Sequence, residues 1–237
     1  MPRKKTSSKT VELTQMAPPK ITVRSKGLTE KQKDLVRLSL DNNNKIIFIS
    51  GPAGSTKTYV AVYSALKQLK ANEDLDLLYV RTVIESAEKG LGALPGNIDE
   101  KFNPYMAPLE DKLREILPST TGIVSDLIKS GRVQSMPINF LRGANWINKI
   151  VVADEAQNFT FKELTTLMTR LGEDSKLFIC GDTLQSDING RSGFKEMFDL
   201  FNDEVSKDKG IQCFSFGLSD IKRSAILSYI IKKINSK

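Results

Sequence analysis

A glycine-rich segment between an apolar run and a helical pattern limits what this chain can fold into more than any other feature. The segment Gly51 to Thr58 follows an apolar run and ends in Lys57-Thr58. Glycines let backbone N–H groups approach an anion, and the positive N-terminus of the next helix points at it. This order predicts a phosphate-binding loop, in which Lys57 reaches the β and γ phosphates and the Thr58 hydroxyl holds Mg²⁺.

The loop departs from the strict phosphate-loop pattern at one position. Thr56 stands where that pattern has glycine directly before the lysine. A β-branched residue restricts the backbone there, so an ordinary glycine-rich turn is an alternative interpretation. The loop positions predicted to surround a phosphate are Gly51, Pro52, Ala53, Gly54, Ser55 and Thr56.

A second segment, far along the chain, supplies the acidic groups that such a loop needs. Asp154 and Glu155 directly follow the apolar residues 150–153, which are typical of a buried strand. A strand that ends there delivers Asp154 to a magnesium ion, and Glu155 can polarise the attacking water. Acids at a strand end also occur without a function, but this alternative is weaker in a chain that already carries the loop.

A third predicted strand ends in Gly181-Asp182, with Gln185 just beyond it. Ligands of open α/β sheets bind where strands reach their carboxyl ends. We therefore expect the three polar strand ends to lie at one edge of the sheet, with Gln185 in contact with the γ phosphate.

The composition excludes several classes of enzyme. The 237 residues include no histidine, which removes imidazole bases, histidine-containing metal sites and hydrolases that depend on histidine. Catalysis must use carboxylates, lysine, arginine and metal ions. The two cysteines, Cys180 and Cys213, lie in apolar runs without metal-type spacing, and we expect them to be reduced core residues.

The net charge of +7 is concentrated near the N-terminus. Residues 1–26 hold seven basic residues and one acid, whereas the other 28 basic and 27 acidic residues nearly cancel. Such a tail is either a polyanion-binding arm or a solubilising disordered terminus. We predict one domain over 27–237, with an irregular insertion at about 82–118. The chain has neither a membrane-length apolar run nor a signal-type N-terminus, so we expect a soluble cytoplasmic protein.

Alternating strand and helix patterns predict a three-layer α/β domain with a mostly parallel sheet. Thr29 and Gln32 have the spacing of a capping box at the start of the first helix. The predicted strands are 46–50, 76–81, 132–140, 146–153, 176–180 and 211–216. The predicted helices follow Thr29 and then cover 59–69, 109–117, 161–171, 194–201 and 219 to the end.

Together these segments resemble the PhoH family of P-loop ATPases, which is related to superfamily 1 helicases, and above all its compact phage-type members. The resemblance extends from about Leu28 to the C-terminus. The matching segments are Gly51-Pro-Ala-Gly54 with Lys57-Thr58, Glu88-Lys89 followed by Leu94-Pro-Gly96, Leu141-Arg-Gly143, Asp154-Glu-Ala-Gln-Asn158, Thr169-Arg-Leu-Gly172 and Gly181-Asp182 with Gln185.

The resemblance implies a RecA-like core that binds and hydrolyses ATP with Mg²⁺, acts on RNA or single-stranded nucleic acid, and forms a ring-like homo-oligomer. By similarity to the glutamine motif of superfamily 1, Gln32 would read the adenine edge. Arg223 would stabilise charge on the γ phosphate, with Arg170 and Arg81 as alternatives. Only one RecA-like domain fits this length, whereas helicases that separate strands use two.

The leading hypothesis is an ATPase that binds RNA or single-stranded DNA and moves or remodels it. Its candidate nucleic-acid contacts, by charge and base stacking, are Arg81, Lys89, Phe140, Arg142 and the basic termini. One alternative is a nucleotide-gated protein-binding or regulatory module with little turnover, which would not need Glu155. Another is a small-molecule kinase, which the pair of segments at 154–157 and 181–185 does not favour.

Overall fold

The computed structural model describes residues 19–24, 27–82, 98–118, 122–141, 145–183, 192–221, 226, 229–230 and 233. This part of the chain forms six strands and seven α-helices. The strands are β1 (Ile46–Ser50), β2 (Asp76–Arg81), β3 (Val133–Pro137), β4 (Lys149–Ala153), β5 (Lys176–Gly181) and β6 (Ile211–Ser215). The helices are α1 (Glu30–Leu40), α2 (Lys57–Ala71), α3 (Ile98–Ile116), α4 (Ile123–Lys129), α5 (Phe161–Met168), α6 (Phe194–Leu200) and α7 (Glu204–Asp208).

The six strands form one parallel sheet in the order β3-β2-β4-β5-β1-β6. The predicted α/β class with a parallel sheet is therefore confirmed. The crossover from β1 to β2 joins parallel strands, as predicted, but β4 and β5 lie between them. As a result the carboxyl ends of β4, β5 and β1 are consecutive along one edge of the sheet.

Helices cover both faces of the sheet, which gives the three layers that the sequence predicts. On one face, Ile47 and Ile49 of β1 pack in a core cluster with α1, α2, α3 and α4. On the other face, Ile46 and Phe48 pack with α5 and α6. Every residue of β1 is buried, which explains its unbroken apolar sequence. Among the helices described here, none is long and apolar enough to cross a membrane.

Helix α1 begins with the capping box that the sequence predicts. The Thr29 hydroxyl accepts a hydrogen bond from Gln32 N at 3.2 Å, and the Thr29 N–H donates to Gln32 Oε1 at 2.9 Å. These bonds satisfy donors that would otherwise lack a partner in the first turn.

Helix α3 corrects the prediction of an irregular insertion with a helix only at 109–117. The helix begins at Ile98 and continues through Pro104 and Pro108, although proline is unfavourable inside a helix. Its C-terminal half buries Leu109 and Leu113 completely in the core cluster beside α2, and this burial outweighs the two missing N–H donors. Residues 83–97 of the predicted insertion lie outside the described residues.

Several predicted boundaries were also wrong. Strand β4 begins at Lys149 rather than at Trp146, because Asn148 has a φ of 54° and interrupts the extended chain. The strand predicted at 132–140 ends at Pro137 and passes into a 3-10 helix, and α5 ends at Met168. The short helices α4 and α7 were not predicted. Most of the helix predicted from 219 onward lies outside the described residues.

Two buried cations fasten α1 and α2 to the end of the sheet away from the phosphate-binding loop. Arg132 donates to the carbonyl oxygens of Leu69, in the last turn of α2, and of Leu75, directly before β2. Lys176 donates to those of Ser39 and Asp41 at the end of α1, and burial lowers its pKa to about 8. Cations suit these positions because helix C-termini carry unpaired carbonyl groups and partial negative charge.

Both cysteines are free, as predicted, but only Cys180 is fully buried; Cys213 is half-buried. Burial raises the pKa of both thiols, that of Cys213 to about 12. Both side chains are therefore neutral thiols at physiological pH.

Candidate active site

The predicted phosphate-binding loop lies between the end of β1 and the start of α2, directly before the N-terminus of that helix, which carries partial positive charge. Gly51 is required by a close approach: a Cβ there would lie 2.8 Å from both Phe216 Cβ and Ser55 Oγ. Gly54 has a φ of 82°, which glycine adopts without strain. The Ser55 hydroxyl donates to Pro52 O at 2.8 Å and ties the turn together. The local geometry is that of an anion-binding loop.

Lys57, the first residue of α2, folds its side chain back over the loop. Its Nζ donates to Gly51 O at 2.5 Å and to Pro52 O at 3.1 Å. The ammonium group therefore lies above the concave side of the loop. Phosphate oxygens placed in the loop would be alternative acceptors for the same three N–H donors.

Thr56 occupies the position that the strict motif gives to glycine, and it takes the backbone conformation of a glycine. Its φ of 66° and ψ of 19° are left-handed, which costs a β-branched residue about 1–2 kcal/mol. Its hydroxyl accepts from Gln32 Nε2 at 2.6 Å and donates to Ser55 O at 2.6 Å. These hydrogen bonds hold the loop to the N-terminus of α1.

We expect the hydrogen bonds of the Thr56 hydroxyl to compensate for the strain in the backbone of this residue. Thr56→Val keeps the branched side chain but leaves Gln32 Nε2 without its acceptor, so we expect the free energy of unfolding to fall by about 1–3 kcal/mol. Thr56→Gly loses the same bond but relieves the strain, so it should stay within about 1 kcal/mol of the wild type. Urea denaturation of the three proteins measures this. If Thr56→Val and Thr56→Gly had the same free energy of unfolding, the backbone strain, and with it the compensation by the hydroxyl, would be contradicted.

Gln32 is in contact with the phosphate-binding loop, but as a structural link. The side chain is only 3% exposed, its Oε1 accepts from Thr29 N, and its Nε2 donates to Thr56. Both polar ends of the side chain are thus engaged by the protein. Recognition of an adenine edge by Gln32 stays a prediction.

Thr58 and Asp154 meet across the sheet edge, as the sequence predicts. Asp154 follows the end of β4, and its N–H donates to Val80 O at 2.9 Å, which continues the pairing of β2 with β4. The Thr58 hydroxyl, in the first turn of α2, donates to Asp154 Oδ1 at 2.6 Å. Hydroxyl and carboxylate oxygens are hard donors of the kind that Mg²⁺ prefers, so the two residues fit a magnesium site.

A residue that the sequence reading missed holds the other oxygen of Asp154. The hydroxyl of Tyr79, on β2, donates to Asp154 Oδ2 at 2.5 Å. Burial and then the neighbouring Asp154 carboxylate raise the pKa of Tyr79, so the phenol keeps its proton and acts as a donor. The available sequence signal was a lone phenol hydroxyl within an apolar strand, because such a group needs a partner when buried.

Glu155 is held by two neighbours at the mouth of the site. Its backbone is left-handed, with a φ of 53°, which turns the chain directly after β4. Gln157 donates through Nε2 to Glu155 Oε2 at 2.5 Å, and its own Oε1 accepts from Asp182 N at 3.1 Å. Arg81 Nη2 lies 3.8 Å from Glu155 Oε1. The sequence alone assigned no role to Gln157, although this residue lies in the segment Asp154 to Asn158. In the structure its side chain connects the ends of β4 and β5.

These residues surround one cavity of about 450 Å³, within the range of about 300–1,000 Å³ common for small-molecule sites. The phosphate-binding loop forms one side, and the ends of β2, β4 and β5 form the floor. Helix α3 contributes Pro108, Asp111, Lys112 and Glu115 to the lining. The predicted convergence of three polar strand ends is therefore present, with Asp182 in the lining.

Two of the remaining predicted site residues, Arg81 and Arg170, lie in the described part of the chain. Arg81 lines the cavity, whereas Arg170 does not. Phe140 ends a 3-10 helix, and its side chain is outside the described part of the chain. Lys89, Arg142, Gln185 and Arg223 also lie outside the described residues.

Comparison with known proteins gives a consistent set of relatives. A family profile described as "PhoH-like protein" matches residues 24–235. A PhoH-like protein of Mycobacterium tuberculosis is 34% identical over 184 residues, which cover 77% of this chain and 50% of that protein. A PhoH-like protein of Bacillus subtilis is 31% identical, over 90% of this chain and 66% of that protein. Protein PhoH of Escherichia coli is also 31% identical, over 84% and 55%. The chain thus spans about half to two thirds of these relatives.

Solved structures are more distant. The helicase MrfA bound to DNA aligns with a TM-score of 0.44 and 14% identity, over 80% of this chain and 27% of the helicase. Domain 2 of the DEAD-box helicase Mss116p, bound to an RNA duplex, aligns with a TM-score of 0.36 and 16% identity. Likenesses this remote do not bear on what the present chain binds.

Proposed function

Because the chain belongs to the PhoH-like protein family and carries a P-loop nucleotide-binding fold, we propose that it is a Mg²⁺-dependent ATPase that couples hydrolysis to binding or remodelling RNA or single-stranded DNA. The nucleotide-binding half rests on the geometry of the loop and the neighbouring strand ends. The nucleic-acid half rests on the family resemblance and on one contact, between Arg81 and Glu155.

The observation that carries the proposal is the 2.6 Å hydrogen bond between Thr58 Oγ1 and Asp154 Oδ1. It joins the start of the helix after the phosphate-binding loop to a carboxylate two strands away in the sheet, and both residues line the cavity. An ordinary strand-to-helix turn would not require that pairing. A Mg²⁺ ion held by these residues would neutralise charge on the phosphates during transfer.

Lys57 would bind the β and γ phosphates. Its ammonium group donates to Gly51 O and Pro52 O, and phosphate oxygens are stronger acceptors because they are charged. The ammonium group needs only a change of side-chain rotamer to exchange these partners. The loop N–H groups would bind the same phosphates from below.

Glu155 would orient and deprotonate the water that attacks the γ phosphate. Its side chain is partly exposed at the cavity, which gives it access to water. Gln157 fixes its Oε2, so Oε1 remains as the acceptor for the water proton. A fixed carboxylate lowers the entropic cost of aligning that water.

Coupling to nucleic acid would pass through Arg81. Its guanidinium borders the cavity and lies 3.8 Å from the Glu155 carboxylate, close enough to restrain it electrostatically. A phosphate of a bound strand would compete for that guanidinium and release Glu155 for catalysis. Lys89, Phe140 and Arg142 are proposed further contacts.

Three more roles rest on the resemblance alone. Gln185 would contact the γ phosphate and report its loss, Arg223 would stabilise the charge developing on it, and Gln32 would read the adenine edge. A ring-like homo-oligomer is proposed on the same basis, and sedimentation with and without ATP would detect it.

Phosphate release from Mg²⁺-ATP, measured with and without single-stranded RNA or DNA, tests the proposal. We expect single strands to stimulate release and the stimulation to fade as salt is raised, since contacts with the phosphate backbone are weakened by salt. The polymer that stimulates more strongly is the better candidate substrate. Lys57→Ala serves as the blank for contaminating ATPases.

Two different results would contradict two different parts of this proposal. If neither RNA nor DNA changed the basal rate of ATP hydrolysis at low salt, the proposed coupling to nucleic acid would be wrong. Tight ATP binding without turnover under any condition would instead favour the nucleotide-gated regulatory module.

A further inference from the structure

A buried tyrosine on β2 contacts the carboxylate that we assign to magnesium. Tyr79 is fully buried and ranks among the largest completely buried side chains of the described chain. Its neighbour in the sheet is Val152 of β4, and Asp154 follows two residues later on that strand. The tyrosine ring therefore lies beneath the floor of the cavity, with its hydroxyl directed to Asp154 Oδ2 at 2.5 Å.

Each oxygen of the Asp154 carboxylate accepts a hydrogen bond from a different hydroxyl group. Thr58 donates to Oδ1 and Tyr79 donates to Oδ2, and Asp154 is buried, with 8% of the residue exposed. The χ2 torsion of an aspartate is broad, so a carboxylate with a single hydrogen bond would be free to rotate about it. Donors on both oxygens hold the plane of the Asp154 carboxylate in one orientation.

The contact also explains why a tyrosine stands in this strand. A buried hydroxyl costs about 1–3 kcal/mol in proteins when it lacks a partner, and phenylalanine would fill the same apolar space without that cost. The neighbours of Tyr79 along β2, Leu78 and Val80, are buried apolar residues. The hydrogen bond to the Asp154 carboxylate thus explains the hydroxyl group in this position.

We propose that Tyr79 is a positioning residue for magnesium: by donating to Asp154 Oδ2, it orients the carboxylate so that Oδ1 and the Thr58 hydroxyl form the metal site together. The inference rests on the proposed function, since it requires that Asp154 serve a metal ion. Hydrogen bonds from the surroundings of a metal site to its ligands commonly change metal affinity by about 10–100-fold.

The variant Tyr79→Phe removes the hydroxyl and keeps the ring. Mn²⁺ replaces Mg²⁺ as a spectroscopic probe, and its binding in the presence of ADP is followed by electron paramagnetic resonance. We expect the Mn²⁺ affinity of Tyr79→Phe to fall by about 10-fold or more, while ADP binding in EDTA stays within about two-fold of the wild type. The concentration of Mg²⁺ needed for half-maximal ATP hydrolysis should rise in parallel.

Tyr63→Phe is the matched control. Tyr63 is also a largely buried tyrosine, but it lies on α2, stacks on Tyr59 and does not line the cavity. Its variant should bind Mn²⁺ as the wild type does. If Tyr79→Phe is merely less stable, with Mn²⁺ affinity equal to that of Tyr63→Phe, the positioning role is wrong.

A double-mutant cycle separates a role that acts through Asp154 from a general effect of Tyr79→Phe. In the background of Asp154→Asn, Tyr79→Phe should have little further effect on Mn²⁺ affinity, because groups that act through one another are not additive. Additive losses would overturn the inference. Failure of the proposed function has a different signature: the wild type itself would then show no metal dependence of nucleotide binding.

Discussion

Replacing Glu155 with glutamine is expected to lower the rate of ATP hydrolysis by about 10²- to 10⁴-fold, the usual contribution of a general base, and to leave ATP binding within a few-fold of the wild type. The amide has the shape of the carboxylate but cannot accept the proton of the attacking water. Its oxygen can still accept the hydrogen bond from Gln157 Nε2, so the local structure is kept. The variant should therefore trap ATP.

Filter binding of ATP and single-turnover phosphate release separate the two effects. Glu196→Gln is the matched control, because Glu196 is exposed on α6 and lies away from the cavity. Hydrolysis by Glu155→Gln within about ten-fold of the wild-type rate, below the usual contribution of a general base, would remove Glu155 from the mechanism. That result would also revive the small-molecule kinase, which should depend less on this residue.

Replacing Lys57 with alanine abolishes measurable hydrolysis and weakens ATP binding by about 10²-fold or more. The expected loss corresponds to two charge-assisted hydrogen bonds to phosphate oxygens, at about 1.5–3 kcal/mol each. The same substitution deprives Gly51 O and Pro52 O of their donor. Thermal unfolding must therefore be measured beside binding, so that loss of the site is not confused with loss of the fold.

Lys67→Ala is a suitable control for Lys57→Ala, since Lys67 lies on the same helix and its Nζ sits over the Tyr63 ring, 5.9 Å from the centroid, away from the cavity. It should bind and hydrolyse ATP normally. Equal activity of Lys57→Ala and the wild type would mean that hydrolysis in the preparation does not come from this loop.

Local patterns were sufficient to predict the elements that carry the site. The apolar run before Gly51 predicted β1, Thr29 and Gln32 predicted the capping box of α1, and the acids after residue 153 predicted the end of β4. Each of these features depends on residues close together in sequence. For the same reason the α/β class and the loop could be predicted without knowledge of the sheet order.

Contacts that depend on the sheet order could not be predicted in this way. Tyr79 meets Asp154 only because β2 pairs with β4, and Gln157 meets Asp182 only because β5 lies beside β4. The start of α3 was missed because Pro104 and Pro108 argue locally against a helix, whereas the burial of Leu109 and Leu113 favours one. Thr56 was recognised as a departure, but its support by Gln32 becomes visible only when α1 is placed beside the loop.

Strand β1, which carries the loop, is synthesised early, but its last partner strand is synthesised late. Ile46 of β1 pairs with Leu177 on one side and with Ile211 on the other. At ~5–20 residues per second of synthesis, residues 46–50 would wait on the order of ten seconds or more for β6. During that time a run of β-branched and aromatic residues stays exposed, as is common for strands with distant partners. On the ribosome, β1 and the loop that follows it would therefore gain their last sheet partner only after most of the chain has been synthesised.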